Sequence, residues 1–410
     1  MTTLSPMRGA ICIVSPGNLA SNPRVLKEAD ALHEAGYAVT AVVCDYTEAL
    51  RGFDDEISAS VGWKVQRVPR SASERPIGLL AGSVAKLAGT HMPVAWAARA
   101  YGGPAAALTR AASGAPADLY IGHYIAGLAA AGRAALRRGA MLGFDAEDLH
   151  TGEGTALQVN MVRTIEGVLL PNCRHVTAAA PLIGKAYHAR YGVEPATLLN
   201  VFPLAMAPAK PVCAGQGTFR AYWFSQTVGL DRGLQAFIQA MARTTAPVTL
   251  DIRGGDRWGH GDRLMELARE LGVAGRVNLL PMAAPQEMVR LAADYDIGLS
   301  LETDVGENRR VCLTNKIFTY LLAGVPVLLS DTPAQDALAP ELGAAARVVS
   351  LADPDGIALV LDRLARSPAA RAEARDTAWR LGRERYNWDV EKGALLGSVE
   401  RAFASRRVAA

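Results

Sequence analysis

The sequence has little of several things. Its 410 residues carry 43 Lys+Arg against 40 Asp+Glu, so there is almost no charge excess of either sign. A net +3 on a chain this long gives no electrostatic reason to bind nucleic acid. Aromatic residues make up only 6%. The five cysteines, at 12, 44, 173, 213 and 312, form no CxxC pair, which excludes a disulfide framework and a zinc ribbon. No apolar run approaches the roughly 18 residues of a membrane span. The first such run, Ala10 to Val14, is too short for a signal h-region, so a cytoplasmic location is expected. GxGxxG, Walker A, HExxH and GxSxG motifs are all missing, and with them the usual signs of dinucleotide, nucleoside-triphosphate, zinc-protease and serine-hydrolase chemistry.

What is present is alternation. Half of the residues are apolar, and they come as short runs between amphipathic segments. The spacing predicts strands at 10–14, 38–43, 61–68, 118–122, 140–144 and 174–178, and helices at 23–35, 124–137, 155–170 and 180–190. Asn22-Pro23 is an N-cap followed by Pro at the first helical position, and Gly36 is a natural stop. Residues 200–218, rich in Pro and Gly, read as a linker. Beyond it strands are predicted at 219–224, 247–253, 276–280, 296–301, 325–329 and 346–349, with helices at 231–243, 262–271, 285–293 and 315–323. The tail, 353–406, reads as helices alone. Repeated strand–helix–strand units imply parallel sheets, hence two doubly wound α/β domains facing each other across a cleft.

Residues 77–112 interrupt the first half with an Ala-, Gly- and Leu-rich stretch. Two readings stand: a helical hairpin covering the sheet, or an apolar flank that rests on a membrane surface or holds a lipidic acceptor. The second would place the protein peripherally at the inner face of the membrane.

In open α/β sheets ligands bind beyond the carboxyl ends of the strands, so the residues after each strand matter most. The loop Ser15 to Asn22, with Gly17, is small enough for backbone N–H groups to approach an anion at a helix N-terminus. His123 follows one strand, and Asp145 and Glu147 follow the next, with Asp148, His150 and Glu153 beyond. A histidine and carboxylates at one edge suit acid–base work or hydrogen bonding to a polyhydroxylated ligand. The second half gathers cations: Arg232 at a helix start, Arg253-Gly254-Gly255 after a strand, Arg309 and Arg310 in a long loop, and Thr314-Asn315-Lys316 opening a helix. A lysine in a first helical turn opposes the helix dipole, which points to an anion such as a diphosphate between Lys316, Arg232 and the free N–H groups of the helix start. Asp294/Asp296 and Asp353/Asp355 match a D-x-D pattern but fall on the wrong sheet edge and at a helix start, and read as structural.

These residues resemble the GT-B-fold retaining glycosyltransferases, glycosyltransferase family 4-like, over essentially the whole chain. The most specific stretch is LTNKIFTYLLAGVPVLLSD, 313–331, similar to the family's donor-binding helix and the Gly-x-Pro-Val strand after it. The first loop and helix match the family's N-terminal element, and NWDVEKGALLGSVERAF resembles its closing helix, which crosses back onto the first domain. Arg232-Gly233 stands where the family has Lys-Gly, and His123 where it has a histidine near the reacting sugar. The resemblance implies an acceptor domain at 1–203, a nucleotide-sugar domain at 204–385 and the crossing helix at 386–410. It implies a metal-independent, hexosyltransferase-type enzyme with no cofactor, a nucleotide-diphosphate sugar donor and an acceptor that is a sugar, glycolipid or small molecule. His123, Asp145 and Glu147 would be catalytic, and Arg232, Lys316, Asn315 and Gly17 would hold the diphosphate.

Two departures stand out. The family's glutamate pair is missing, with Val311 and Thr319 in its place, and the arginine before the Lys-Gly position is Gln226. Donor sugar or nucleotide contacts then fall to Glu302, Glu307, Thr319 and Gly254. The carboxylates at 145–153 also fit a nucleotide-sugar epimerase or hydrolase, and the missing glutamates fit a non-catalytic partner subunit.

Overall fold

The run Ala10–Val14 forms the first strand, β1, and Ile11 to Val14 are all buried. A strand apolar on both faces belongs inside a parallel sheet covered by helices. In a computed structural model, which describes residues 8–69, 75–89, 91–210 and 217–409, the chain divides into two units, 1–198 with 392–410, and 199–391.

The first unit continues with β2 (Ala38–Asp45), β3 (Lys64–Pro69), β4 (Leu119–His123), β5 (Met141–Ala146), β6 (Cys173–Ala178) and the short β7 (Ala196–Thr197). Its helices are α1 (Pro23–Glu34), α2 (Arg51–Ser60), α3 (Arg75–Ala88), α4 (Val94–Tyr101), α5 (Ala105–Gly114), α6 (Tyr124–Arg138), α7 (Ala156–Leu169) and α8 (Pro181–Tyr191). The strands pair in parallel in the order β3-β2-β1-β4-β5-β6-β7. The chain steps outward one way from β1 and the other way from β4, which opens a crevice at their carboxyl ends.

Local chemistry sets these elements. The Asn22 side chain accepts from Arg24 N at 3.1 Å and Val25 N at 3.2 Å, capping α1, with Pro23 at its first position. The start of α6 lies against the ends of β1 and β4 because Gly127 has no side chain: a Cβ there would sit 2.4 Å from the Val14 carbonyl oxygen. The stretch read as a hairpin, 77–112, instead holds three helices, α3 to α5. Pro93 and the Gly102-Gly103-Pro104 break interrupt it twice.

The second unit contains β8 (Phe219–Thr227), β9 (Val248–Gly255), β10 (Val277–Leu280), β11 (Ile297–Ser300), β12 (Val327–Ser330) and β13 (Ala346–Val349), paired in parallel in the order β10-β9-β8-β11-β12-β13. Its helices are α9 (Leu234–Met241), α10 (His260–Glu270), α11 (Met288–Ala292), α12 (Glu307–Val311), α13 (Asn315–Leu322), α14 (Pro333–Leu342), α15 (Pro354–Arg366) and α16 (Pro368–Glu384). The strand order reverses again, between β8 and β11. Trp223, Phe237, Ile252, Leu299 and Leu328 are among the core residues.

Some boundaries differ from the sequence reading. The helix expected from 231 starts at Leu234, because Gly233 takes a left-handed conformation (φ +67°) that ends the preceding turn. Asp231 therefore does not cap it. The helix expected at 285–293 is a 3-10 turn, Pro285–Glu287, followed by one α turn. Asp353 caps α15 through Gly356 N at 2.9 Å, and Asp296 accepts from Arg220 N at 2.9 Å, so both D-x-D pairs carry structure. Within the linker, 211–216 lie outside the described residues.

The last helix, α17 (Trp388–Ala409), starts in the second unit, where Trp388 N donates to the Phe202 carbonyl at 2.8 Å. From Lys392 it belongs to the first unit, held by Arg8–Glu400 at 2.8 Å and Arg406–Asp118 at 2.7 Å. No helix among the described residues is long and apolar enough to cross a membrane.

Candidate active site

In the first unit the sheet's carboxyl edge is a buried polar network. His123 ends β4 and pairs in register with Asp145 on β5, which pairs with Thr177 on β6. The three side chains thus stand in a row across adjacent strands. From the crevice side α1 contributes Arg24 and Glu28, one turn apart and both buried. Arg24 forks onto Asp145, with Nε–Oδ2 at 2.5 Å and Nη2–Oδ1 at 2.7 Å, and donates its third bond to the Leu198 carbonyl at 2.7 Å. Thr177 Oγ1 donates to the same carboxylate. Burial opposes ionisation of Asp145, but the Arg24 guanidinium outweighs it and holds the carboxyl well below its ordinary range.

Carboxylates flank the His123 ring on both sides. Glu28 Oε2 lies 2.5 Å from Nε2; Glu147 Oε1 lies 3.0 Å and Asp145 Oδ2 3.4 Å from Nδ1. Burial would discharge the ring, yet Glu28, Glu147 and Asp145 raise its pKa to about 10. Glu147 also accepts from Asn22 Nδ2 at 3.0 Å and from Tyr124 OH at 3.3 Å. Its side chain is 12% exposed, whereas those of His123 and Asp145 are at most 1%. Glu147 is therefore where the network meets solvent. Tyr124, directly after His123, has φ +54°, a rare conformation for a residue with a side chain, at the turn into α6.

His123, Asp145 and Glu147 bring one ligand atom each within 4.8 Å of one another, a spacing a metal ion could use. Arg24 already engages both Asp145 oxygens, however, and both His123 nitrogens face carboxylates. The compensating positive charge comes from the chain itself.

The second unit's edge has the opposite polarity. Glu302, two residues past β11, is 1% exposed and meets three cations: Lys316 Nζ at 3.0 Å, Arg309 Nη1 at 2.8 Å and Arg232 Nη1 at 3.3 Å. Burial alone would raise its pKa; Lys316, Arg309 and Arg232 together bring it down to about 2. Asp231 lies 3.6 Å from Arg232 and 3.9 Å from Arg309. Ser330 Oγ accepts from Glu302 N at 2.9 Å and donates to Glu302 O at 2.7 Å, tying the loop to the end of β12. Lys316, in the first turn of α13, is buried and lies 5.9 Å from the centre of the Trp223 ring. Three cations against Glu302 and the more exposed Asp231 leave this edge positive.

The structure thus gathers His123, Asp145 and Glu147 in one unit, and Arg232, Lys316 and Glu302 in the other. Asn315 opens α13 beside Lys316, and its carbonyl accepts from the buried Thr319 hydroxyl at 2.9 Å. Gly17 is in the first unit, where its carbonyl accepts from Cys44 N at 3.2 Å, and the residues grouped with it as diphosphate ligands are in the second. Glu307 is exposed at the start of α12. Gly254 leaves space for the Ser225 carbonyl, which a Cβ would approach to 2.8 Å. Arg24, Glu28 and Thr177 were not singled out in the sequence. The available signal was Arg24 and Glu28 at i and i+4, charged residues beside the apolar stripe of α1.

Comparison with known proteins gives the class. Residues 232–392 match the family model described as glycosyl transferase-like. No curated protein matches the sequence. Among solved structures, HepE of Anabaena in complex with UDP is 13% identical with a TM-score of 0.71, over 95% of this chain and 99% of that one. Sucrose-phosphate synthase from Thermosynechococcus elongatus is 13% identical with a TM-score of 0.69, over 97% and 100%. The lipopolysaccharide outer core galactosyltransferase WaaB is 13% identical with a TM-score of 0.62, over 95% and 99%. The two Rossmann-like units form a GT-B fold. Within it, the residues that match the family model, 232–392, lie almost wholly in the second unit.

Proposed function

We propose that the chain is a retaining, family 4-like glycosyltransferase that moves a hexosyl group from a nucleotide-diphosphate sugar to an acceptor hydroxyl. The observation that carries this reading is the buried Glu302 ringed by Arg232, Arg309 and Lys316 at the strand-order reversal of the second sheet. A diphosphate entering there competes with Glu302 for cations already in place, and they stabilise the charge that grows on the leaving group. They supply this without a metal, so transfer is expected to withstand chelators. In the first unit Glu147, the member of the network that reaches solvent, offers its carboxylate to the acceptor hydroxyl. His123 and Asp145 fix its position.

HepE has been crystallised with UDP, with UDP and glucose and with UDP-glucose, so UDP is the first probe to use. A thermal-shift comparison of UDP, GDP, ADP and TDP identifies the base, since a ligand that binds only the native state raises apparent stability. Failure of all four to bind would sink the assignment. The carboxylates of the first unit keep a second reading in view, isomerisation or hydrolysis of the nucleotide-sugar. Product analysis with donor alone separates the two. The flank formed by α3 and α4, where Leu80, Val84 and Trp96 are exposed, suits a lipidic acceptor or peripheral membrane contact. Co-sedimentation with anionic liposomes at low salt tests that.

A further inference from the structure

His123 has two ring nitrogens, and each faces a carboxylate. A neutral imidazole offers one N–H and one lone pair. With Glu28 Oε2 at 2.5 Å from Nε2 and Glu147 Oε1 at 3.0 Å from Nδ1, a neutral ring between two anions would set its lone pair against a carboxylate oxygen at hydrogen-bond distance. We propose that Glu28 and His123 hold one proton between them permanently, so that His123 always presents Nδ1–H to Glu147 and cannot act as a general base, with Glu28 as the positioning residue that enforces this. The shared proton resides on Nε2, so the ring is an imidazolium whose Nδ1–H is the donor to Glu147.

Every element packed against the ring agrees. From α1, Arg24 neutralises Asp145, which leaves Glu28 as the carboxylate free to pair with Nε2. From β5 and the loop after it, Asp145 and Glu147 both face Nδ1. Tyr124, at the start of α6, donates to the Glu147 carboxylate, so Glu147 is an acceptor from this side too. From β6, His175 Nε2 lies 4.0 Å from Glu28 Oε1, and neither atom has a hydrogen-bond partner among the described residues. The other His175 nitrogen lies 2.9 Å from Ser398 Oγ on α17. Burial pushes the His175 pKa down, so His175 brings no charge to compete with His123 for Glu28. Glu28 is thus walled in by two histidines, and the one it touches is the site histidine.

The consequence for catalysis rests on the reading of this edge as the acceptor site; the location of the proton does not. The test is therefore spectroscopic. Nitrogen NMR of histidine-labelled protein, assigned with His123→Gln, should show His123 with both nitrogens in protonated-type positions from pH 6 to 9. Glu28→Gln should bring its titration down by roughly two pH units, into that window, while the fold is retained by circular dichroism. A wild-type His123 that titrates near neutrality overturns the proposal, as does a Glu28→Gln protein whose His123 is unchanged. If Glu28→Gln does not fold, the wild-type spectrum still decides. Loss of glycosyl transfer with an intact imidazolium spectrum would count against the functional reading and leave this one standing.

Discussion

The two sheet edges share a topology and differ in sign. In each unit the strand order reverses once, and polar residues collect beside the reversal. In the first unit the centre is a histidine enclosed by Glu28, Asp145 and Glu147, with Arg24 as counterweight. In the second it is a carboxylate enclosed by Lys316, Arg309 and Arg232. The fold decides where a ligand goes, and the residues placed there decide what it is. A near-neutral chain can therefore carry one edge centred on a cation and another centred on an anion. The largest test of this contrast removes two of the cations. In the Arg232→Ala, Lys316→Ala double variant each lost charge-assisted contact costs about 1.5–3 kcal/mol, so UDP affinity by calorimetry should fall by roughly 10²–10⁴-fold. Unchanged affinity would remove the second edge as a phosphate site. Glu302→Gln sharpens the same point: three cations without their carboxylate should make the free protein less stable and the diphosphate tighter.

The converse experiment strikes the first edge. Arg24→Ala leaves Asp145 buried without its cation, which costs on the order of 3–5 kcal/mol in chemical denaturation. UDP affinity should hold, because Asp145 and the Leu198 carbonyl, which Arg24 holds, both belong to the first unit. A matching loss of UDP binding would mean that the two edges are not independent.

How much of this was visible beforehand follows from the range of each interaction. Strands such as Ala10–Val14 and the Asn22-Pro23 start of α1 were legible, because apolar runs and caps are local. The edge residues His123, Asp145, Glu147, Arg232 and Lys316 were legible too, since the sheet rule turns "after a strand" into a place. Their partners were not. Arg24 meets Asp145 across 121 positions and Glu28 meets His123 across 95, and no local pattern encodes such pairings. Arg309 was noticed as a loop cation, but its bond to Glu302 depends on the short helix α12, which a five-residue segment does not announce. The alanine-rich composition of 77–112 marks helix without marking where one ends, so the sequence suggests a hairpin where the structure has three helices.

Packing at the first edge gives a smaller effect. Gly127→Ala would set a methyl 2.4 Å from the Val14 carbonyl oxygen and force α6 away from the ends of β1 and β4. Overpacking of this kind costs about 1–3 kcal/mol, read as a lowered denaturation midpoint. Because α6 begins directly after His123, the variant should also disturb the His123 resonances more than UDP binding. The reverse pattern would place the strain elsewhere.

The pH dependence of stability separates the edges by the direction of their limbs. Glu302 titrates at about 2 in the folded protein because three cations favour its anion, against about 4.3 in an unfolded chain. Its contribution is present above pH 4.3 and fades as pH falls toward 2. His123 is raised to about 10 against about 6.5 unfolded, so its contribution is full below pH 6.5 and is lost as pH rises through 10. Thermal midpoints measured from pH 3 to 10 should therefore decline at both ends, by a few degrees per kcal/mol lost, about 2–4 °C for units of this size. Glu302→Gln should flatten the acid limb alone and His123→Gln the alkaline limb alone. If either substitution flattened the opposite limb, the assignment of an anion centre to one unit and a cation centre to the other would have to be reversed.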